Sequence, residues 1–120
     1  MPADRPLLLH NKPGCSKCRG ALELLRERGI EPEVVDLAAG PPSAERLREI
    51  VAMTGAPPRA LLRTGEAAYA DLGLDDPALP DKRLIDAMAA HPSLIERPIL
   101  VYRGRAVVGR PPERVLTLLD

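Results

Sequence analysis

The chain has 120 residues, 45% hydrophobic and 28% charged, and its 17 basic and 17 acidic residues cancel to a formal net charge of zero. That length suits one domain with one core, so a single domain spanning 1–120 with one active site is expected. Zero net charge offers no sign of an electrostatic grip on nucleic acid, and with no Trp, no Phe and only Tyr69 and Tyr102 there is no stacking platform for bases.

No apolar run approaches the roughly 20 residues of a membrane helix, and Met1 to Leu9 lacks a basic segment followed by a long apolar stretch. A cytoplasmic protein without membrane contact is therefore expected. Arginine far outnumbers lysine, which occurs only at Lys12, Lys17 and Lys82.

In chain order, Leu7-Leu8-Leu9 is a short apolar run between Pro6 and the loop Asn11-Lys12-Pro13-Gly14, which reads as a buried strand. A helix follows: Cys18, Ala21, Leu22 and Leu25 fall at i, i+3, i+4 and i+7 and form one apolar face. Arg19, Glu23, Arg26 and Glu27 form its wet face, with Gly29 as the stop. Val34-Val35, within Ile30 to Leu37, predicts a second strand, and strand, helix, strand in about 30 residues is the size of a parallel βαβ unit.

A helical insert over about 43–91 comes next. Gly40-Pro41-Pro42 breaks the chain, Ser43 can cap, and Leu47, Ile50, Val51 and Thr54 stripe a helix ending near Gly55. Arg59 to Arg63 and Ala67 to Leu72 read as short helical pieces, and Asp81 to His91 as a full helix burying Leu84, Ile85 and Met88. The period then changes. Ile99 to Tyr102, a turn at Arg103-Gly104 and Ala106 to Val108 predict a hairpin, and Pro111-Pro112 opens a last helix with Val115, Leu116 and Leu119 inward.

Two cysteines separated by two residues cannot staple a fold, and in a reducing compartment such a pair points to redox chemistry or metal. Gly14-Cys15-Ser16-Lys17-Cys18-Arg19 sits between a strand and a helix. A thiolate there is stabilised by unpaired backbone N–H groups and the helix dipole, with Lys17 and Arg19 adding positive charge. Cys15 is the expected attacking thiol, and Cys18, on the apolar face, is either a shielded resolving thiol or simply a small packed residue. Zinc would need two further ligands, and the only histidines, His10 and His91, are far apart in sequence. No metal is expected.

Several motifs occur together and in order: His10-Asn11, Cys15 to Arg19, Arg59 to Arg63, Arg83-Leu84-Ile85-Asp86, His91-Pro92, Arg97-Pro98-Ile99 and Gly109-Arg110-Pro111. Across nearly the whole chain this series resembles the glutaredoxin-dependent arsenate reductase family. The resemblance implies an α/β thioredoxin-like fold, β-α-β, helical insert, β-β-α, with a mixed four-stranded sheet. It implies Cys15 as nucleophile, Arg63, Arg97 and Arg110 as oxyanion-binding groups, His10 near the reactive cysteine, and Pro98 as the cis-proline beside it. It further implies arsenate or a similar oxyanion as substrate, glutathione as co-substrate with glutaredoxin clearing the mixed disulfide, and no tightly bound cofactor.

Unless the motif match raises it, each of these arginines reads as a solvated charge or an ion-pair partner, and Arg59 and Arg103 are left as surface residues. Cys18 stands where many members of the family carry serine, and the loop from His10-Asn11 to Cys15 is one residue longer. An internal Cys15–Cys18 disulfide, reopened by thioredoxin, glutaredoxin or glutathione, is therefore a second route. The related Spx-type regulators carry C-x-x-C at this position and bind the RNA polymerase α subunit. That reading, and a general glutathione-dependent thiol reductase, remain open beside the enzyme, which Arg110 in Gly-Arg-Pro favours.

Overall fold

The computed structural model describes residues 6–10, 16–37 and 42–119, with His10, Ser16 and Lys17 described in their backbone alone. Met1 to Arg5, the loop Asn11 to Gly14, Cys15, the break at Gly40-Pro41 and Asp120 lie outside the described residues. Among the described residues, β1 (Leu7–His10), β2 (Glu33–Asp36), β3 (Ile99–Tyr102) and β4 (Arg105–Val108) form one mixed sheet in the order β2-β1-β3-β4. β2 runs parallel to β1, with Leu8 opposite Val34. β3 is antiparallel to β1, pairing Leu100 with Leu8, and β4 is antiparallel to β3, pairing Val107 with Leu100.

Because side chains alternate across a strand, this register sorts the apolar residues onto two faces. Leu8 and Leu100 share one face, packed with Ala21 and Leu25 of α1 (Ser16–Glu27) and with Val115 and Leu118. Leu9, Ile99, Val101 and Ala106 line the other, against Leu47, Ile50, Leu61, Leu84, Met88 and Leu94 from the segment between β2 and β3. The unbroken Leu7-Leu8-Leu9 run is thus what a strand covered on both sides requires. Each fully buried leucine contributes roughly 1.5–3 kcal/mol of apolar transfer.

Local signals end the helices where the sequence places them. Gly29 (φ 76°) closes α1 in a Schellman turn: Ile30 N–H donates to Leu25 O at 2.9 Å and Gly29 N–H to Arg26 O at 3.0 Å. In α2 (Ala44–Thr54), Ser43 Oγ accepts from Arg46 N–H at 3.1 Å, and Gly55 (φ 71°) stops the helix. α3 is short (Ala67–Asp71), and α4 covers Asp81–Ala90, burying Leu84, Ile85 and Met88. The hairpin turns on Arg103 (φ 52°) and Gly104 (φ 75°), two left-handed residues in succession as a type I′ connection requires.

Two expectations about helix type and one about a side chain are corrected. The last segment, Pro112–Leu119, is a 3₁₀ helix, so its buried residues are three apart: Val115 and Leu118 face inward, and Leu116 and Leu119 are only partly buried. The piece expected over Arg59 to Arg63 is a 3₁₀ turn at Pro58–Leu61, after which Leu62 is extended and bridges Ile95. Arg59 is not a free surface group. It donates to Leu74 O at 2.7 Å and Asp76 O at 2.8 Å, tying this turn to the stretch before α4.

Among the described glycines, Gly109 lies closest to its neighbours. A Cβ there would lie 2.9 Å from Val115 Cγ1 and 3.0 Å from Pro98 Cγ, while its N–H donates to Pro98 O at 2.7 Å. Gly109→Ala should lower stability by about 1–3 kcal/mol, as overpacking in a close-packed site does, read as a lower urea midpoint with an unchanged m-value.

Candidate active site

Three separate segments carry the arginines singled out in the sequence, and backbone hydrogen bonds bring the segments together. Arg63 N–H donates to Leu94 O at 2.8 Å and Glu96 N–H to Leu61 O at 2.7 Å, an antiparallel stitch around the Leu62–Ile95 bridge that sets Arg63 beside Glu96. Arg97 follows directly in sequence. The Gly109 N–H bond to Pro98 O then carries the end of β4 to the same place, and with it Arg110, whose Nε donates to Arg97 O at 2.7 Å. The Arg97–Pro98 and Arg110–Pro111 peptide bonds are both cis, and Pro98 is buried.

The three arginines are not equivalent. Arg63 Nε and Arg110 Nε lie 3.5 and 2.9 Å from the same Glu96 oxygen, and Arg63 Nη1 lies 3.9 Å from Glu66. The side chains of Arg63, Glu96 and Arg110 are only 26%, 23% and 32% exposed, so these pairs are less screened than surface ion pairs. Arg97 Nε, in contrast, is buried with no hydrogen-bond partner. Burial pushes the Arg97 pKa down, the like charges of Arg63 and Arg110 push it the same way, and Glu66 and Glu96 oppose them. A guanidinium remains charged at any working pH. The cluster therefore holds a cation whose buried donor is unspent, which is what an anion site needs before its ligand arrives.

Cys18 is 4% exposed, on the inward side of the first turn of α1, and is disulfide-bonded. His10 ends β1 in register with Asp36. Cys15, the expected nucleophile, lies outside the described residues and immediately precedes α1 in sequence. His91 is exposed, and among the described residues no group of three or more His, Cys, Asp or Glu is placed to hold a metal. An apolar groove between α2 and α4, lined by Val51, Pro57, Pro58 and Ile85, includes none of the three arginines.

The sequence reading missed Glu96 and Glu66. Glu66 lies three residues after Arg63 and Glu96 abuts Arg97, spacings that would have suggested pairing; what no spacing shows is that one carboxylate serves two arginines 47 residues apart in the chain.

A four-stranded mixed sheet, α1 on one face and a helical segment between β2 and β3 on the other, defines an α/β protein of the thioredoxin-like class. Comparison with known proteins specifies it further. The ArsC family model matches residues 10–118, and the chain belongs to the ArsC family. It is similar to an arsenate reductase of Neisseria meningitidis serogroup A, at 45% identity over 113 residues, 93% of this chain and 96% of that protein. It is similar also to the Escherichia coli protein YfgD, at 44% over 112 residues, 92% of this chain and 94% of that one. Among solved structures, an arsenate reductase from Vibrio cholerae matches with a TM-score of 0.88 at 43% identity, covering 96% of this chain and 98% of that chain. Among the described residues, no helix is long and apolar enough to cross a membrane.

Proposed function

We propose that this chain is a cytoplasmic arsenate reductase in which Cys15 attacks arsenic and Arg63, Arg97 and Arg110 hold the oxyanion. The observation that carries the reading is the convergence of three arginines from distant segments, one with a buried, unpartnered Nε, in a member of the ArsC family. Guanidinium groups match a tetrahedral oxyanion with paired donors and, placed near a thiol, favour its thiolate.

In this mechanism the Cys15 thiolate forms a sulfur–arsenic bond as one arsenate oxygen leaves, protonated, as water. Charge on the remaining oxygens is met by the arginines. A second thiolate then attacks Cys15 Sγ. The sulfur–arsenic bond breaks, its electron pair stays on arsenic, and As(V) departs as arsenite while two thiols become one disulfide. The second thiol is Cys18 in the internal route and glutathione in the external one, and glutaredoxin, thioredoxin or glutathione returns the two electrons by exchange. His10, at the end of β1, is assigned the support of the Cys15 thiolate, as an imidazolium can give. Pro98 is assigned a place beside the reactive cysteine. The role of Cys18 is supported by its disulfide-bonded state. The same state suits a redox switch of the Spx type, but a switch has no use for three gathered arginines.

Arsenate-dependent NADPH oxidation, run separately with glutathione plus glutaredoxin and with thioredoxin plus its reductase, tests the proposal. Turnover in one system identifies the reductant, and silence in both removes the arsenate reading in favour of a redox switch or a general thiol reductase. Cys18→Ser should leave the glutathione route within about threefold of wild type and abolish any thioredoxin-driven one, since only the internal disulfide supplies a thioredoxin substrate.

A further inference from the structure

Glu96 has no part in the chemistry above, yet one of its oxygens reaches all three arginine segments. Oε1 lies 2.9 Å from Arg110 Nε and 3.5 Å from Arg63 Nε, and it accepts from the Arg97 backbone N–H at 3.2 Å. The residue is itself anchored by its N–H to Leu61 O at 2.7 Å. A long acidic side chain fixed at both ends, and only 23% exposed, is not a solvated surface charge. Resting on the oxyanion reading, we propose that Glu96 is the positioning residue of that site: by ion pairs at their Nε edges it holds Arg63 beside Arg110 and moderates the charge an incoming oxyanion meets.

The alignment follows from the shape of the guanidinium. Its five donors lie in one plane, so engaging Nε from one side fixes the direction in which the Nη fork points. Glu96 does this to Arg63, 3.5 Å from its Nε, while the single Nε–H of Arg110 is donated to Arg97 O at 2.7 Å and meets Glu96 as a charge at 2.9 Å, so two flexible side chains are set as a pair before any ligand binds. Less ordering is then left to be done on binding.

The moderation follows from charge. Three guanidinium groups set against Glu66 and Glu96 leave one net positive charge in the cluster. A neutral residue at 96 would leave two. An unmoderated trio would grip any tetrahedral anion, including inorganic phosphate, which cannot be reduced by a thiol and would only block the site. Weakening the common grip leaves discrimination to the covalent step, which phosphate does not undergo.

Arginine Nε–Hε signals in ¹⁵N–¹H spectra of the full chain, titrated with inorganic phosphate, test both halves, with arsenate turnover measured in parallel. Glu96→Gln keeps an acceptor oxygen and removes the charge. Its Arg63 and Arg110 signals should stay where they are in wild type, and its phosphate Kd should fall about three- to tenfold, the range of one partly screened charge. Glu96→Ala removes the acceptor as well. The Arg63 signal should move toward the position of a solvated arginine while that of Arg110, still donated to Arg97 O, moves less, and kcat at saturating arsenate should fall about tenfold, a loss of orientation that stability alone would not produce. A Glu96→Gln protein with wild-type phosphate affinity overturns the moderation, and a Glu96→Ala protein with the Arg63 signal unmoved overturns the alignment. A wild type whose arginine signals ignore phosphate and arsenate alike brings down the oxyanion reading and the moderation with it. A responsive wild type matched by Glu96→Gln brings down the moderation alone.

Discussion

Cys15→Ser is expected to reduce arsenate turnover at least about 10³-fold with either reductant, while the midpoint of thermal unfolding stays within a few degrees of wild type. The magnitude follows from what a nucleophile does: without it the reaction has no covalent path, and the remaining groups only bind the anion. A hydroxyl has nearly the size of a thiol but does not ionise near neutral pH, so the oxyanion should still bind. Equilibrium binding of arsenate should therefore persist in Cys15→Ser when turnover is gone. Retained turnover would move the nucleophile elsewhere, and Cys18 at 4% exposure is poorly placed to take the role.

The second large effect is expected at Arg97, and with opposite signs for activity and stability. Its Nε is buried without a partner, and burial together with the charges of Arg63 and Arg110 pushes its pKa down. Holding the cation there costs the folded protein free energy that the ligand recovers. Arg97→Ala should lower kcat/KM for arsenate about 10²-fold, the usual loss for one preorganised donor at an oxyanion, while stability stays level or rises by about 1 kcal/mol. The sign for the thiol also follows: a nearby cation favours the thiolate, so removing it should raise the Cys15 pKa, measured by absorbance of the thiolate across pH in Cys18→Ser protein. A large loss of stability with little change in kcat/KM would make Arg97 a structural residue.

The features legible in the sequence were those whose signals are local. Of the face that spacing alone marks on α1, Cys18, Ala21 and Leu25 are buried and Leu22 is partly buried. Gly29 and Gly55 end their helices at positive φ, and Arg103-Gly104 turns the hairpin. The features that escaped depend on contacts between distant residues or on a change of helical period. Pro112–Leu119 has an apolar pattern that suits periods of 3.0 and 3.6 about equally over eight residues, and the choice of Leu118 over Leu119 as the inward residue is made by packing against α1. Arg59 was indistinguishable from its fellow arginines because its acceptors are carbonyls 15 and 17 residues away. The same holds at the candidate site. Arg63, Arg97 and Arg110 were found through motifs, but their inequality was not, since it arises from one carboxylate shared by two of them and withheld from the side chain of the third.

The stitch between residues 61–63 and 94–96 has a consequence for how this protein can vary. Two backbone hydrogen bonds close the chain between Arg63 and Leu94 into a loop whose ends are fastened to each other. Changing the length of a closed loop costs little, about 0.6 kcal/mol for each doubling, because closure entropy grows only with the logarithm of length. Pro77 and Ala78, exposed and just beyond the Leu74 and Asp76 carbonyls that Arg59 holds, can therefore accept insertions, tags or a foreign recognition segment while those contacts stay in place. The opposite holds at the fastening, where a single inserted residue next to Leu62 or Ile95 would turn one arginine away from the others. Drift in length belongs in one stretch of this chain and is barred from its neighbour.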